Sequence, residues 1–235
     1  MFRFLDLTRV SLSKDLSNIL YHEVIYMYQI GSLVVYKTVK ERDLDELFDW
    51  FRNLSSEKSL ENVKSMYEEK MNILNLKEMC PYNYTFTFTT IWDTIHFLCI
   101  IVDDLVMSRN KYTFDFVKHN LQNIKSIFFN MFIILMCPVC ANHYLQVKGF
   151  LISELEHIEI SLYRESQGEP IIFQEEETRS ISTKNVLLTN HMLYKSMVFH
   201  NRVNGYRPIQ RNYDKLNNFK RMDWNRYKNE LNMHI

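Results

Sequence analysis

Through most of this chain apolar residues recur every three to four positions, the period of an α-helix with one buried face. Over Asp43 to Leu54 they fall at Leu44, Leu47, Phe48, Phe51 and Leu54, with acidic residues early, as the positive end of a helix favours. Ser59 to Glu78 repeats the pattern through Leu60, Val63, Met66, Tyr67 and Met71. Residues 1–79 therefore predict a helical N-terminal region. Cys80-Pro81 interrupts it, and Tyr84 to Phe88 alternates aromatic residues with Thr, predicting a short extended lead-in. Thr89 or Thr90 is placed to cap a helix to about Ser108, on which Trp92, Ile95, His96 and Cys99 share a face. After a turn at Asn110-Lys111, Thr113 caps a long helix from Phe114 to Met136 that turns Val117, Leu121, Ile124 and Phe128 inward. Another helix runs through Ala141 to about Glu165, loosened at Gly149. Polar, acidic Ser166 to Lys184 reads as a long loop, and helices over about Asn185–Val203 and Asp223–Met233 finish the chain. The expected fold is all-α in two parts, a helical region over 1–84 and a helical domain over 85–235.

Composition narrows the function. Four Gly and four Pro in 235 residues leave no Gly-rich loop to cradle phosphates, so any nucleotide is held another way. With 28 Lys and Arg against 28 Asp and Glu, the totals point to no nucleic-acid surface. The distribution is uneven near the C-terminus. Arg202, Arg207, Arg211, Lys215, Lys220, Arg221, Arg226 and Lys228 face only Asp214 and Asp223, which makes either a solvated basic tail or a site for an anion such as a pyrophosphate. Arg and Asp in the first residues break the apolar run a secretory signal needs. Ser126 to Val147 lacks formal charge, but its strongly apolar part (IFFNMFIILM) is too short to span a bilayer, so a buried core helix is expected and no transmembrane segment.

The chemistry centres on Cys137-Pro138-Val139-Cys140, with His143 three residues on. The spacing brings two sulfurs within bonding range, and a helix starting here stabilises a thiolate with its unpaired amides and dipole. Only Cys80 and Cys99 accompany the pair, far below a disulfide scaffold, so CPVC reads as reactive rather than structural. Two further patches have i, i+4 spacing: Trp92-x-x-x-His96, and His200-Asn201-x-Val203-Asn204. Trp and His offer flat faces to a heteroaromatic ring, and Asn offers both donor and acceptor to a base edge. Each patch alone is more often core and rim than ligand contact.

Taken together and in this order, the three motifs resemble the Erv/ALR family of FAD-linked sulfhydryl oxidases over roughly Thr89 to Arg211. TFTTIWDTIHF, CPVCANHY, HNRVNGYRPIQRN and the helical N-terminal extension are most similar to its baculovirus branch. The resemblance implies a helical bundle around FAD with an extra N-terminal helical region. It also implies an enzyme that oxidises protein dithiols to disulfides and passes the electrons to O2 as H2O2. Cys140 then passes electrons to the flavin, Cys137 is attacked by substrate, Trp92, His96, His200, Asn201 and Asn204 contact FAD, and His143 either contacts FAD or tunes the thiolate. A homodimer is implied, with viral clients, in the host cytoplasm or nucleus or associated with the virion.

Several positions depart from the family pattern. No basic residue lies at Phe88 to Ile91, and Tyr206 and Ile209 stand where Lys is usual, so Arg207, Arg211 and, less directly, Arg109 are proposed to hold the pyrophosphate. No second CxxC exists to act as a shuttle. Asp103-Asp104, late in an apolar helix, read as a solvated face or salt bridge, Cys80 as a loop thiol and Cys99 as a small buried hydrophobe. The rival in another class is a zinc-binding interaction module using Cys137, Cys140 and His143, with His96 or Cys99 as fourth ligand. A thioredoxin-like fold, with IFFNMFIILM as a strand and Pro170 in the substrate loop, conflicts with the long helical runs. A structural viral protein carrying a relic CxxC is the blandest reading.

Overall fold

The structure, a computed structural model, describes residues 1–35, 41–80, 87–135, 137–175, 183–206 and 221–230. The chain forms two compact units, Met1–Phe86 and Thr87–Ile235. In the first, α1 (Phe2–Val10), α2 (Lys14–Val35), α3 (Glu41–Arg52) and α4 (Leu60–Ile73) precede a 3-10 turn at Lys77–Met79. Leu20, Val24 and Tyr28, each one turn from the next, are fully buried with Leu47, Phe51 and Tyr67. Such side chains each contribute roughly 1.5–3 kcal/mol by leaving water. Ser59 caps α4 by accepting the Asn62 N–H at 3.3 Å. The helix ends sooner than its apolar pattern predicts. Asn75 takes φ 54°, and Leu76 N–H turns back to the Met71 carbonyl at 2.8 Å, satisfying a carbonyl the helix end leaves exposed.

The second unit holds α5 (Phe88–Met107), α6 (Phe114–Asn130), α7 (Pro138–Val147), α8 (Gly149–Ser166), α9 (His191–Asn204) and α10 (Trp224–Glu230). The protein is mostly helical, as the periodicity predicts. Thr87, rather than Thr89 or Thr90, caps α5, accepting the Thr90 N–H at 3.3 Å. Of the lead-in, only Thr87 and Phe88 belong to the described residues, and Phe88 is already helical. Thr113 caps α6 as expected, but α6 stops at Asn130 and tightens into a 3-10 turn over Met131–Ile134.

The expected loop and the helix after it also differ. Strands β1 (Ile172–Gln174) and β2 (Val186–Leu188) pair in parallel, with Phe173 opposite Leu187. Asn185, instead of starting a helix, is buried and donates to the carbonyls of Ser161 (2.8 Å) and Glu169 (3.0 Å), which fixes the chain as it enters β2. α9 therefore begins only at His191. Among the described residues no helix is long and apolar enough to cross a membrane.

Candidate active site

Helices α5 and α9 lie antiparallel. Trp92 and His96 are one turn apart on the first, and Ser196 and His200 one turn apart on the second. Trp92 lies flat on His200, ring centroids 3.7 Å apart and planes 10° from parallel. His96 bridges the same pair of helices, with Nδ1 2.8 Å from Ser196 Oγ and Nε2 3.0 Å from His200 Nδ1.

At the other end of this contact Asp103 accepts the backbone N–H groups of Met192 and Leu193, each at 2.9 Å. The first amides of a helix have no partner within it, and Asn190, at the cap, supplies none from its side chain. A carboxylate from the neighbouring helix does so instead. Asp103 is thus a buried cap, not the solvated or salt-bridged acid its sequence position predicts, and burial pushes its carboxyl up to about 7 against the pull of both amides. Asp104 is exposed, as expected. Cys99, beside Asp103 and Ser196, is fully buried as expected, and burial with the nearby carboxylate pushes its thiol up.

The CxxC opens α7. Cys137 is the extended N-cap residue, and its Sγ accepts the Cys140 N–H at 3.3 Å. Pro138 fills the first helical position, where no amide donor is needed. Sulfur therefore occupies the place a Ser or Asp oxygen usually takes, where the amides and dipole favour its ionised form. Two contacts fix α7 on α6: Tyr144 donates its hydroxyl to the Phe128 carbonyl at 2.6 Å, and Lys148 Nζ donates to the Phe129 carbonyl at 3.0 Å. Burial holds the Tyr144 phenol well above its usual range, so it stays a donor.

Between α5, α7 and α9 lies a cavity of about 330 Å³. Its apolar walls include Ile91, Trp92, Leu135, Phe199 and Val203, and its polar rim is Cys140, His143, His200 and Asn204. Cys140 faces the cavity; half-buried Cys137 is not part of its lining, and Val139 between them is exposed. His143 is stacked on Tyr206, centroids 3.7 Å apart and planes 4° from parallel. Flat apolar walls, a stacked Trp–His pair and a few polar edges suit a planar heteroaromatic ring of the kind the resemblance implies.

Other expected contacts fall elsewhere. His96 stands behind His200 rather than on the cavity wall. Asn201 accepts the Met222 N–H at 2.8 Å and donates to the Met222 carbonyl at 3.0 Å, pinning the segment that leads into α10. The structure does not bring Arg109 to the cavity. Its guanidinium makes a two-point ion pair with Glu165, at 2.6 and 2.7 Å, and lies 5.2 Å from the Phe173 ring. Arg207 and Arg211 lie outside the described residues. Ser196, Tyr144 and Tyr206 were not predicted. Ser196 is one turn before His200 and Tyr144 one turn after Cys140, so helical spacing from the motif residues was the available signal, whereas Tyr206 stood out only as a replacement for the usual Lys. The zinc set is not assembled either. Among the described residues, the His, Cys and acidic side chains whose ligating atoms gather within 4.8 Å are Glu154, His157 and His191, in which Glu154 already pairs with His191 and Lys195.

Burial and the His96 ring depress His200 to about 4, and burial also depresses His96. Both are neutral at pH 7. As pH falls from 6.5 toward 4 the unfolded chain takes up protons that folded His200 does not, so stability falls across that window. Urea titrations at pH 7 and 4.5 should show this loss in the wild type and a smaller one in His200→Gln. Equal losses in the two proteins would place the titrating groups elsewhere.

A helical unit that sets the first sulfur of a CxxC at a helix N-cap and the second against an aromatic and imidazole cavity defines a thiol-redox protein. The chain belongs to the Baculovirus P33 family, whose model matches residues 1–233. It is 40% identical to the FAD-linked sulfhydryl oxidase of Autographa californica nuclear polyhedrosis virus, across 99% of this chain and 92% of that protein. It is also 36% identical to the 33 kDa early protein of Orgyia pseudotsugata multicapsid polyhedrosis virus, across 99% of this chain and 93% of that one.

Proposed function

We propose that this chain is a FAD-linked sulfhydryl oxidase that makes disulfides in protein dithiols. The observation that carries the reading is the placement of the two sulfurs, Cys140 on the cavity with Trp92 and His200, and Cys137 outside it at the α7 cap. The cavity fits the flavin ring in chemistry: the stacked Trp92–His200 pair and Phe199 line it with aromatic groups, and His200 and Asn204 supply polar edges. FAD, when bound there, supplies a two-electron acceptor that O2 reoxidises with release of H2O2.

A substrate thiolate attacks Cys137 Sγ of the Cys137–Cys140 disulfide, forming a mixed disulfide and leaving Cys140 as thiolate. The second substrate thiolate then attacks the substrate sulfur of the mixed disulfide and expels Cys137. The substrate gains one disulfide, and the CxxC gains two electrons. The α7 N-terminus stabilises each leaving thiolate, Cys137 through the Cys140 N–H.

The proposal extends to a homodimer, supported by the large apolar side chains Phe97, Ile100 and Met107 that α5 leaves exposed around Asp104. It extends also to viral clients in the host cytoplasm or nucleus, or associated with the virion. The first two compartments keep thiols reduced, so disulfides there need a dedicated oxidant. The visible spectrum of the purified protein tests the reading. Flavin absorption near-stoichiometric with protein, bleached by dithiothreitol without air, is the expected result. A colourless protein carrying zinc would overturn it in favour of an interaction module.

A further inference from the structure

One direction of the hydrogen bonds behind the cavity satisfies every partner. The Ser196 hydroxyl lies 2.7 Å from the Leu193 carbonyl and also bonds the Cys99 thiol; the carbonyl can only accept whereas the thiol can donate, so the single Ser196 proton satisfies both when it points to Leu193. Toward His96 the same oxygen can then only accept, and at 2.8 Å it requires a proton on His96 Nδ1. A neutral His96 therefore has a bare Nε2. That nitrogen is 3.0 Å from His200 Nδ1, which must carry the proton between them. The other ring nitrogen of His200 is left with a lone pair, on a residue that lines the cavity.

We propose that Ser196 and His96 are positioning residues that lock His200 in its Nδ1–H tautomer, so that Nε2 offers the cavity only a hydrogen-bond acceptor. The site thereby selects a ligand group that donates, such as a ring imide N–H or a sugar hydroxyl, and disfavours a carbonyl or phosphate oxygen at that point. Buried, unpaired lone pairs facing each other are costly, so the wrong group is rejected as well as the right one held. Burial keeps the chain neutral: it outweighs the pull of Asp93 on His96, and it depresses His200 together with the His96 ring. Trp92, flat on His200, fixes the direction in which that lone pair points. The ligand's identity rests on the oxidase reading, but the tautomer does not.

Long-range proton–nitrogen correlation spectra of the 15N-labelled full chain at pH 7, with FAD loaded and stripped, read the tautomers directly. Protonated Nδ1 and bare Nε2 on both His96 and His200 are expected in both forms. This is the less common tautomer of free histidine, so chance agreement at two rings is a demanding outcome. In Ser196→Ala the order should scramble and FAD affinity fall about tenfold, while Ser196→Thr, keeping the hydroxyl, retains the wild-type signals. A proton on Nε2 of either ring in the wild type, or Ser196→Ala with unchanged signals and affinity, overturns the proposal. If the protein holds no FAD the oxidase reading fails, yet the stripped chain still decides the tautomer. Should Ser196→Ala not fold, the wild-type spectrum decides alone.

Discussion

Cys140→Ser is expected to lower dithiol oxidation by about a thousandfold or more while FAD stays bound. Serine replaces the sulfur with a similar, smaller atom, so the cavity walls Trp92, Phe199 and Val203 are undisturbed and flavin absorption is retained. The hydroxyl cannot form the disulfide that substrate must reduce, and it does not ionise at neutral pH. Cys137→Ser should be as inactive for a different reason, because substrate then finds no sulfur at the α7 cap outside the cavity. A chromogenic aromatic disulfide separates the two variants. Cys140→Ser leaves the capped Cys137 to react with it rapidly, whereas Cys137→Ser leaves only the cavity-facing sulfur and reacts slowly. Full turnover by either variant would contradict the division of roles.

Asp103→Ala is expected to cost about 2–4 kcal/mol of folding stability, the combined effect of a lost helix cap and two buried amides without a partner. It is far from the sulfurs in sequence, but it holds the start of the helix that carries His200 and Asn204, so FAD affinity should fall with stability. Urea denaturation checks the first effect and reconstitution with FAD the second. Exposed Asp104→Ala should change stability by less than about 0.5 kcal/mol. The sign with pH is also fixed. A folded value near 7 against an ordinary carboxylate when unfolded means that protonated Asp103 favours the native state. That contribution is present at low pH and lost as pH rises through about 7. The wild type's advantage over Asp103→Asn should therefore be smaller at pH 7.5 than at pH 5.

The sequence made the helices legible wherever one face was consistently apolar. The cap at Thr113 could be read because a hydroxyl preceded the periodic run. The start of α9 could not, because its cap comes from Asp103, about ninety residues away, and Asn185 is held by carbonyls on other elements. Helix ends were equally obscure at Asn75, where one left-handed residue stops a pattern that continues in the sequence. In the site, Trp92, His200, Asn204, Cys140 and His143, drawn from three separate motifs, line one cavity. Asn201 shares a motif with two of them, yet helical rotation turns it to Met222. Arg109 was proposed for its charge and its place in the turn after the first motif helix, and there it pairs with Glu165.

The most direct test of sulfhydryl oxidase activity is the yield of H2O2 per disulfide formed in a reduced protein substrate, in air, with the full chain and its FAD. One peroxide for each new disulfide, abolished in Cys140→Ser, is the result predicted. Disulfides formed without peroxide, or at the same rate in the absence of O2, would contradict it.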